Sequence, residues 1–289
     1  MTVVALASVK GSPGVTTAAL AMAARWPAGR RVLLVEADPF GGDLAPRYGA
    51  TVTGGLASLL AAARRELTPE VVWDHVHELP GGMAVLFGLS GVRQAAANEN
   101  VWPAIATALA GLDADVVVDA GRLLPQFAGG VGAILGQTDA LVVVCGSTLE
   151  AIVHLQNALP DLVAERRGRR LLVVPTGSFG YSADDIASTL EVDVAPPMPD
   201  DRGAAAALAN QRRMRRLEKA PLLMWAAAMI AELGIDDPLS GAPTAEEPTH
   251  QSTFHQPPAP GAERGGFLSD HSPADEAAVG AGTKSEARR

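Results

Sequence analysis

The sequence predicts a three-layer α/β fold, a mostly parallel twisted sheet flanked by helices. Short, nearly all-apolar runs rich in β-branched residues alternate with Ala- and Leu-rich segments of helical length. Each run is bounded by Gly, Asp or Pro, as strands buried on both faces should be. The alternation continues to about residue 234, which is chain enough for a sizeable core of Val, Leu and Ala although only 4% of residues are aromatic.

The first strand is expected at Val3–Ala7, leading through a Gly-containing loop into an Ala-rich helix over Thr16–Arg25. Arg31–Val35 is the second strand, and Gly55–Arg64, with leucines and alanines at helical spacing, the second helix. Met83–Phe87, entered from a Gly-Gly pair, is the third strand, followed by a helix over Val101–Leu112. Asp115–Asp119 and Ala140–Cys145 are the fourth and fifth strands, and Leu149–Arg166 the helix after them. Leu171–Val174 closes the sheet, and Gly203–Leu217 is expected to be helical. Pro221–Leu233 opens with a proline suited to a first helical turn. Its Leu222, Trp225, Met229, Ile230 and Leu233 recur at helical spacing and predict a face docked on the core.

Composition changes near residue 235, dividing the chain into a domain at 1–234 and a tail at 235–289. From Asp236 to Arg289 there are seven prolines, six glycines and no Ile, Trp, Tyr or Met. That stretch is expected to be a disordered, acidic, Pro/Gly-rich tail, because its apolar content cannot offset the entropy of ordering it. The net charge of −9 argues against a general nucleic-acid binder. A single cysteine, Cys145, excludes a disulfide framework within the chain and reads as a buried small hydrophobe. No apolar run reaches about 18 residues, and no basic leader precedes the first strand, so a cytoplasmic protein is expected.

Ligands of such folds sit at the carboxyl ends of the strands. The first such loop reads Ser8-Val9-Lys10-Gly11-Ser12-Pro13-Gly14-Val15-Thr16-Thr17. A strand, a Gly-containing loop and a helix N-terminus converge backbone N–H groups on an anion, and the helix dipole favours phosphate. The two threonines offer hydroxyls for capping, for phosphate oxygens or for Mg²⁺. Against the phosphate-loop template G-x-x-x-x-G-K-[ST], aligned on Gly14 and Thr16, Val15 stands at the lysine. A second alignment treats the loop as one that has lost Gly-Lys, and the lysine is missing in both.

Here the chain resembles the ParA/MinD family of deviant-Walker P-loop ATPases, whose loop reads K-G-G-x-G-K-T-T against K-G-S-P-G-V-T-T in this sequence. Three further segments extend the resemblance. Glu36-Ala37-Asp38-Pro39-Phe40-Gly41-Gly42-Asp43-Leu44 is similar to the family's D-x-D-P-x-G-G-D-L switch segment, with Glu36 in place of the first Asp. Asp115-Val-Val-Val-Asp119-Ala-Gly121 resembles its Walker B run. Pro199-Asp200-Asp201-Arg202 resembles the segment beside adenine, with Pro175-Thr176 on the other adenine side. The match runs from residue 1 to about 234 and implies a three-layer P-loop NTPase binding ATP (or ADP) with Mg²⁺. Carried over by motif, the nucleotide would lie against Lys10, Gly11, Ser12, Pro13, Gly14, Val15, Thr16 and Thr17, with Pro175, Thr176, Pro199, Asp200 and Asp201 at the base. Mg²⁺ would be held by Thr16, Asp38 and, through water, Asp119. Lys10 falls on the signature lysine, which in relatives crosses a nucleotide-sandwich dimer, and Asp38 on the residue that orients the attacking water.

The chain holds only three lysines, Lys10, Lys219 and Lys284, among 23 basic residues, so the retained Lys10 and the absent lysine at Val15 are informative. Lys and Arg are not interchangeable in a tight phosphate loop. Phosphoryl transfer depends on neutralising the β- and γ-phosphates, so hydrolysis should suffer more than binding. The leading expectation is a degenerate member, a nucleotide-binding switch or scaffold with weak or absent turnover. The TadZ/CpaE pilus-assembly group also lacks a normal P-loop lysine. The resemblance leaves open a working ATPase of the partitioning or division-site type, using Lys10 across a homodimer. It also leaves open a shell without nucleotide and, in another class, a small-molecule ligase or kinase such as dethiobiotin synthetase. The protein partner is not encoded in any motif.

Arg212, Arg213, Arg215, Arg216 and Lys219 form a basic cluster, expected to be a solvated helix face, with contact to DNA or an anionic membrane as the sharper alternative. The run Arg166–Arg170 is expected to be a solvated turn. His75 and His77 lack a neighbouring third ligand, and no metal site is expected there.

Overall fold

Among the residues described, seven strands hydrogen-bond into one sheet: β1 (Val3–Ser8), β2 (Val32–Glu36), β3 (His77–Leu79), β4 (Met83–Leu86), β5 (Asp115–Arg122), β6 (Ala140–Gly146) and β7 (Arg170–Thr176). The computed structural model describes residues 1–235 except 12, 51–53, 66, 124–129, 167–168, 178 and 211–212. The order across the sheet is β3-β4-β2-β5-β1-β6-β7. Every adjacent pair is parallel except β3 with β4 at one edge.

The helices are α1 (Val15–Arg25), α2 (Leu44–Arg47), α3 (Leu56–Ala62), α4 (Pro69–Trp73), α5 (Val92–Ala96), α6 (Trp102–Ala110), α7 (Gly130–Leu135), α8 (Leu149–Arg166), α9 (Ala183–Leu190), α10 (Arg202–Leu208) and α11 (Pro221–Glu232). Because strand side chains alternate faces, every strand but β3 feeds two cores. Val116, Val118, Leu141 and Val143 pack with Leu56 and Leu59 of α3, Ile105 of α6 and Leu155 of α8. Val4, Leu6, Val117 and Val142 pack with Leu20 of α1 and Leu222, Trp225 and Met229 of α11. The result is the expected three-layer α/β fold, and α11 carries the predicted docked face. The core reaches Ile235, which is buried; the rest of the expected tail lies outside the described residues. Among the described residues no helix is long and apolar enough to cross a membrane.

Three expectations need correction. The helix expected over Gly203–Leu217 ends at Leu208, because Asn210 turns left-handed (φ 58°), a conformation that a right-handed helix cannot continue through. Arg213, Arg215 and Arg216 are therefore exposed on non-helical chain, and Lys219 ends a 3₁₀ turn at Leu217–Lys219; Arg212 lies outside the described residues. The first arginine of Arg166–Arg170 is not solvated. Arg166 is 4% exposed and donates to the Leu135 and Thr138 carbonyls and to the Thr138 hydroxyl at 2.6 Å, tying α8 to the end of α7. The sheet also gains β3, whose His77-Glu78-Leu79 presents only one buried residue and no readable alternation.

Candidate functional site

The site is built where β1 stops and β5 continues. Leu6 is paired with Asp119 but Ser8 with Arg122, so β5 carries one extra residue opposite β1. Gly121 takes φ +58° within this bulge, and the Leu123 N–H closes it by donating to the Ser8 carbonyl at 2.8 Å. The chain leaving Ser8 forms the loop, and Gly14 (φ +101°) starts α1 without a side-chain cap. The first intrahelical bond is Ala18 N–H to the Gly14 carbonyl at 2.9 Å, so the amides of Val15, Thr16 and Thr17 have no helical acceptor. They open on a cavity of about 470 Å³ that Gly11, Gly14, Val15, Thr16 and Thr17 line on one side. Asp38, Phe40 and Asp43 line another side, and Gly121, Arg122 and Arg47 complete it.

Three carboxylates converge beneath this cavity. Asp119 is 1% exposed; its Oδ1 accepts from the Gly121 N–H at 3.1 Å, while Oδ2 is buried with no hydrogen-bond partner of ordinary geometry. Burial pushes its carboxyl up to about 7; the Thr16 hydroxyl beside it holds it down, and the charges of Glu36 and Asp38 push it further up. Glu36 is fully occupied by backbone: Oε1 accepts from the amides of Asp43 (2.6 Å) and Leu44 (2.9 Å), and Oε2 from that of Gly88 (2.9 Å). Burial raises its carboxyl despite these three donors. Glu36 therefore pins the segment after Asp38 to the end of β2. Asp38, also raised by burial, accepts from the Phe40 N–H at 2.8 Å.

Asp38 packs where only glycine fits. A Cβ on Gly121 would overlap the Asp38 carboxylate, and φ +58° disfavours any L side chain. Gly121→Ala is expected to cost about 1–3 kcal/mol in urea unfolding. The loss should shrink in an Asp38→Ala background, since the two changes share one contact. Full additivity would refute this packing.

A second cavity, of about 290 Å³, lies on the other side of the loop and shares Gly14 and Thr17 with the first. Thr176, Pro199, Asp200 and Asp201 line it with Pro13, so the structure gathers most of the expected base-side residues against the loop after β1. Pro175 stands behind it, its carbonyl accepting from Met198 N–H at 2.9 Å. Ser12 lies outside the described residues. Asp201 caps α10 by accepting from the Ala204 N–H at 3.0 Å.

Two residues depart from a plain cradle. Val15, where a lysine would stand, is 6% exposed and packs into the apolar core beside α1. Lys10 lines neither cavity: it is exposed, and its Nζ lies 2.6 Å from Nε2 of His154 on α8. The remaining candidates stand apart from both cavities. His75 Nδ1 contacts the Ser58 hydroxyl at 2.6 Å, and the His77 ring packs tilted by 40° against Phe87, centroids 4.8 Å apart. Cys145 is buried, its thiol pushed up to about 11 by burial.

Among the described residues no three His, Cys, Asp or Glu side chains form a cage for a metal ion. The site nonetheless suits Mg²⁺ of the kind brought by a nucleotide, which needs only one or two protein oxygens beside phosphate. The unpartnered Oδ2 of Asp119 and the adjacent Thr16 hydroxyl supply such a set. The feature that local reading missed is Glu36: its letter resembles a ligand position, but its bonds are structural.

Neither a protein-family model nor a curated protein matches the chain. Solved structures share the fold. A ParA family ATPase from Chlorobium tepidum superposes with a TM-score of 0.63 at 20% identity, covering 80% of this chain and 98% of that one. The septum site-determining protein MinD of Pyrococcus horikoshii, complexed with Mg-ADP, gives 0.62 at 17% identity, covering 83% and 97%. Cobyrinic acid a,c-diamide synthase from Mycobacterium smegmatis, with bound ADP and magnesium, gives 0.55 at 26% identity, covering 73% and 91%. The fold is that of the ParA/MinD P-loop NTPases.

Proposed function

We propose that this chain is a ParA/MinD-like protein that binds Mg·ATP (or ADP) but hydrolyses it weakly or not at all. It acts as a switch or scaffold in intracellular positioning, partitioning or secretion/pilus assembly. The observation carrying this reading is the buried Val15 among Gly11, Gly14, Thr16 and Thr17, which line a cavity at the start of α1. The free amides of α1, the Thr16 hydroxyl and the Asp119 carboxylate supply binding. Mg²⁺, when bound with the nucleotide, neutralises phosphate charge there. Val15 contributes apolar burial of about 1.5 kcal/mol or more instead of an ammonium. A lost charge-assisted hydrogen bond weakens binding by about 1.5–3 kcal/mol, whereas a lost transition-state contact slows a reaction by about 10²–10³.

The test is Mg·ATP affinity followed by turnover. Binding is expected with little turnover, and Val15→Lys should tighten ATP about tenfold or more and raise turnover. Undetectable binding at millimolar ATP would sink the reading. Turnover abolished by Lys10→Ala would instead favour an active ATPase that uses Lys10 across a dimer. A second reading, a small-molecule ligase or kinase, draws on the 26% likeness to cobyrinic acid a,c-diamide synthase. ATP consumption that depends on an added carboxylic-acid metabolite would favour it.

A further inference from the structure

We propose that Arg122 supplies, from within the same chain, the positive charge on the terminal phosphate of a bound nucleoside triphosphate that Val15 cannot supply. This rests on the nucleotide-binding reading above.

The cavity lining holds two cations, Arg47 and Arg122. Arg47 is already committed, with its guanidinium 2.6 Å from the Asp43 carboxylate. Lys10 lies outside the lining and against His154. Arg122 pairs through its backbone with Ser8 and is exposed, and among the described residues its side chain makes no hydrogen bond or ion pair. The backbone places it there for a specific reason. The extra residue in β5 and the left-handed Gly121 interrupt the alternation of a strand whose preceding seven residues, Asp115 to Gly121, are all buried. A bulge of this kind re-aims the next side chain, and here that side chain is the arginine at the cavity rim, beside Ser8 at the root of the loop.

The chemistry fits the position. A guanidinium is too broad to replace an ammonium wrapped inside a tight phosphate loop. At the rim of a cavity of about 470 Å³ it has room to present two parallel N–H donors to phosphate oxygens. A cation there meets the outermost phosphate and so discriminates triphosphate from diphosphate. The same bulge holds Asp38 against Gly121, so the charge and the carboxylate are set by one backbone feature.

The experiment compares Mg·ATP and Mg·ADP affinities of the full chain and its Arg122→Ala, Arg122→Lys and Arg47→Ala variants, with thermal unfolding as a control for folding. Arg122→Ala should weaken ATP by about tenfold or more while leaving ADP nearly unchanged. Arg122→Lys should recover part of the loss. ATP affinity unchanged in Arg122→Ala, equal losses of ATP and ADP, or a selective ATP loss confined to Arg47→Ala would each overturn the assignment. Wild-type protein that binds neither nucleotide at millimolar concentration would instead overturn the underlying nucleotide-binding reading.

Discussion

The ligand-free protein should gain stability as pH falls from about 7 to about 4, and Asp119→Asn should remove most of that gain. The Asp119 carboxyl is pushed up from 3.8 to about 7, chiefly by burial, with Glu36 and Asp38 adding repulsion against the help of Thr16 and Gly121. Between those two values the folded chain holds a proton that the unfolded chain has released. Stability therefore falls with rising pH across that window, is fully favourable below about 4 and is lost above about 7. The difference corresponds to about 4 kcal/mol. Glu36 and Asp38, also raised by burial, act in the same sense. Asp115 behaves oppositely: burial raises its carboxyl, but the bonds from Arg30 and Trp26 outweigh this. Its contribution is lost only as pH falls below 3.8, outside the window. Urea midpoints at pH 4.5, 6 and 8 would check this. A wild type whose stability rises from pH 5 to 8 would contradict it. With Mg·ATP bound the trend should reverse, because a cation beside Asp119, directly or through water, favours its ionised form.

Glu36→Ala should destabilise the protein by about 2–4 kcal/mol, since one buried amide and two part-buried ones lose their acceptor, and a buried one costs about 1–3 kcal/mol unpaired. Those amides belong to Asp43, Leu44 and Gly88, so hydrogen exchange should accelerate there first. Glu36→Gln, which keeps one acceptor oxygen, should cost about half as much. A loss below about 1 kcal/mol in the alanine variant would show that the carboxylate does not hold the segment. Because Asp38 lies on that segment, the alanine variant should also bind Mg·ATP more weakly.

Much of this architecture was legible from short-range pattern. The six predicted strands and the helices Thr16–Arg25 and Leu149–Arg166 fall close to their observed bounds, because burial of both strand faces writes a local apolar run. Helix α9 carries a local signal too, the capping box of Ser182 and Asp185, whose reciprocal bonds are formed. The short helices α2, α4 and α5 have no such period to read. The helix expected to run to Leu217 ends at Leu208 instead, since charge-rich sequence is compatible with helix but does not record the left-handed turn at Asn210.

The candidate site divides in the same way. The sequence by itself determined the motif order, the retained Lys10, the missing lysine at Val15 and the position of the phosphate loop at the first strand end. These are matters of residue identity and spacing along a few tens of residues. Only the tertiary structure decided that Val15 packs into the core behind the cavity wall, that Lys10 meets His154 rather than the cavity, that Glu36 is a backbone clamp and that Asp119 keeps an unpartnered oxygen. Each of these depends on desolvation and on partners far away in the chain, as with Lys10 and His154 at 144 residues' separation. No local pattern records that.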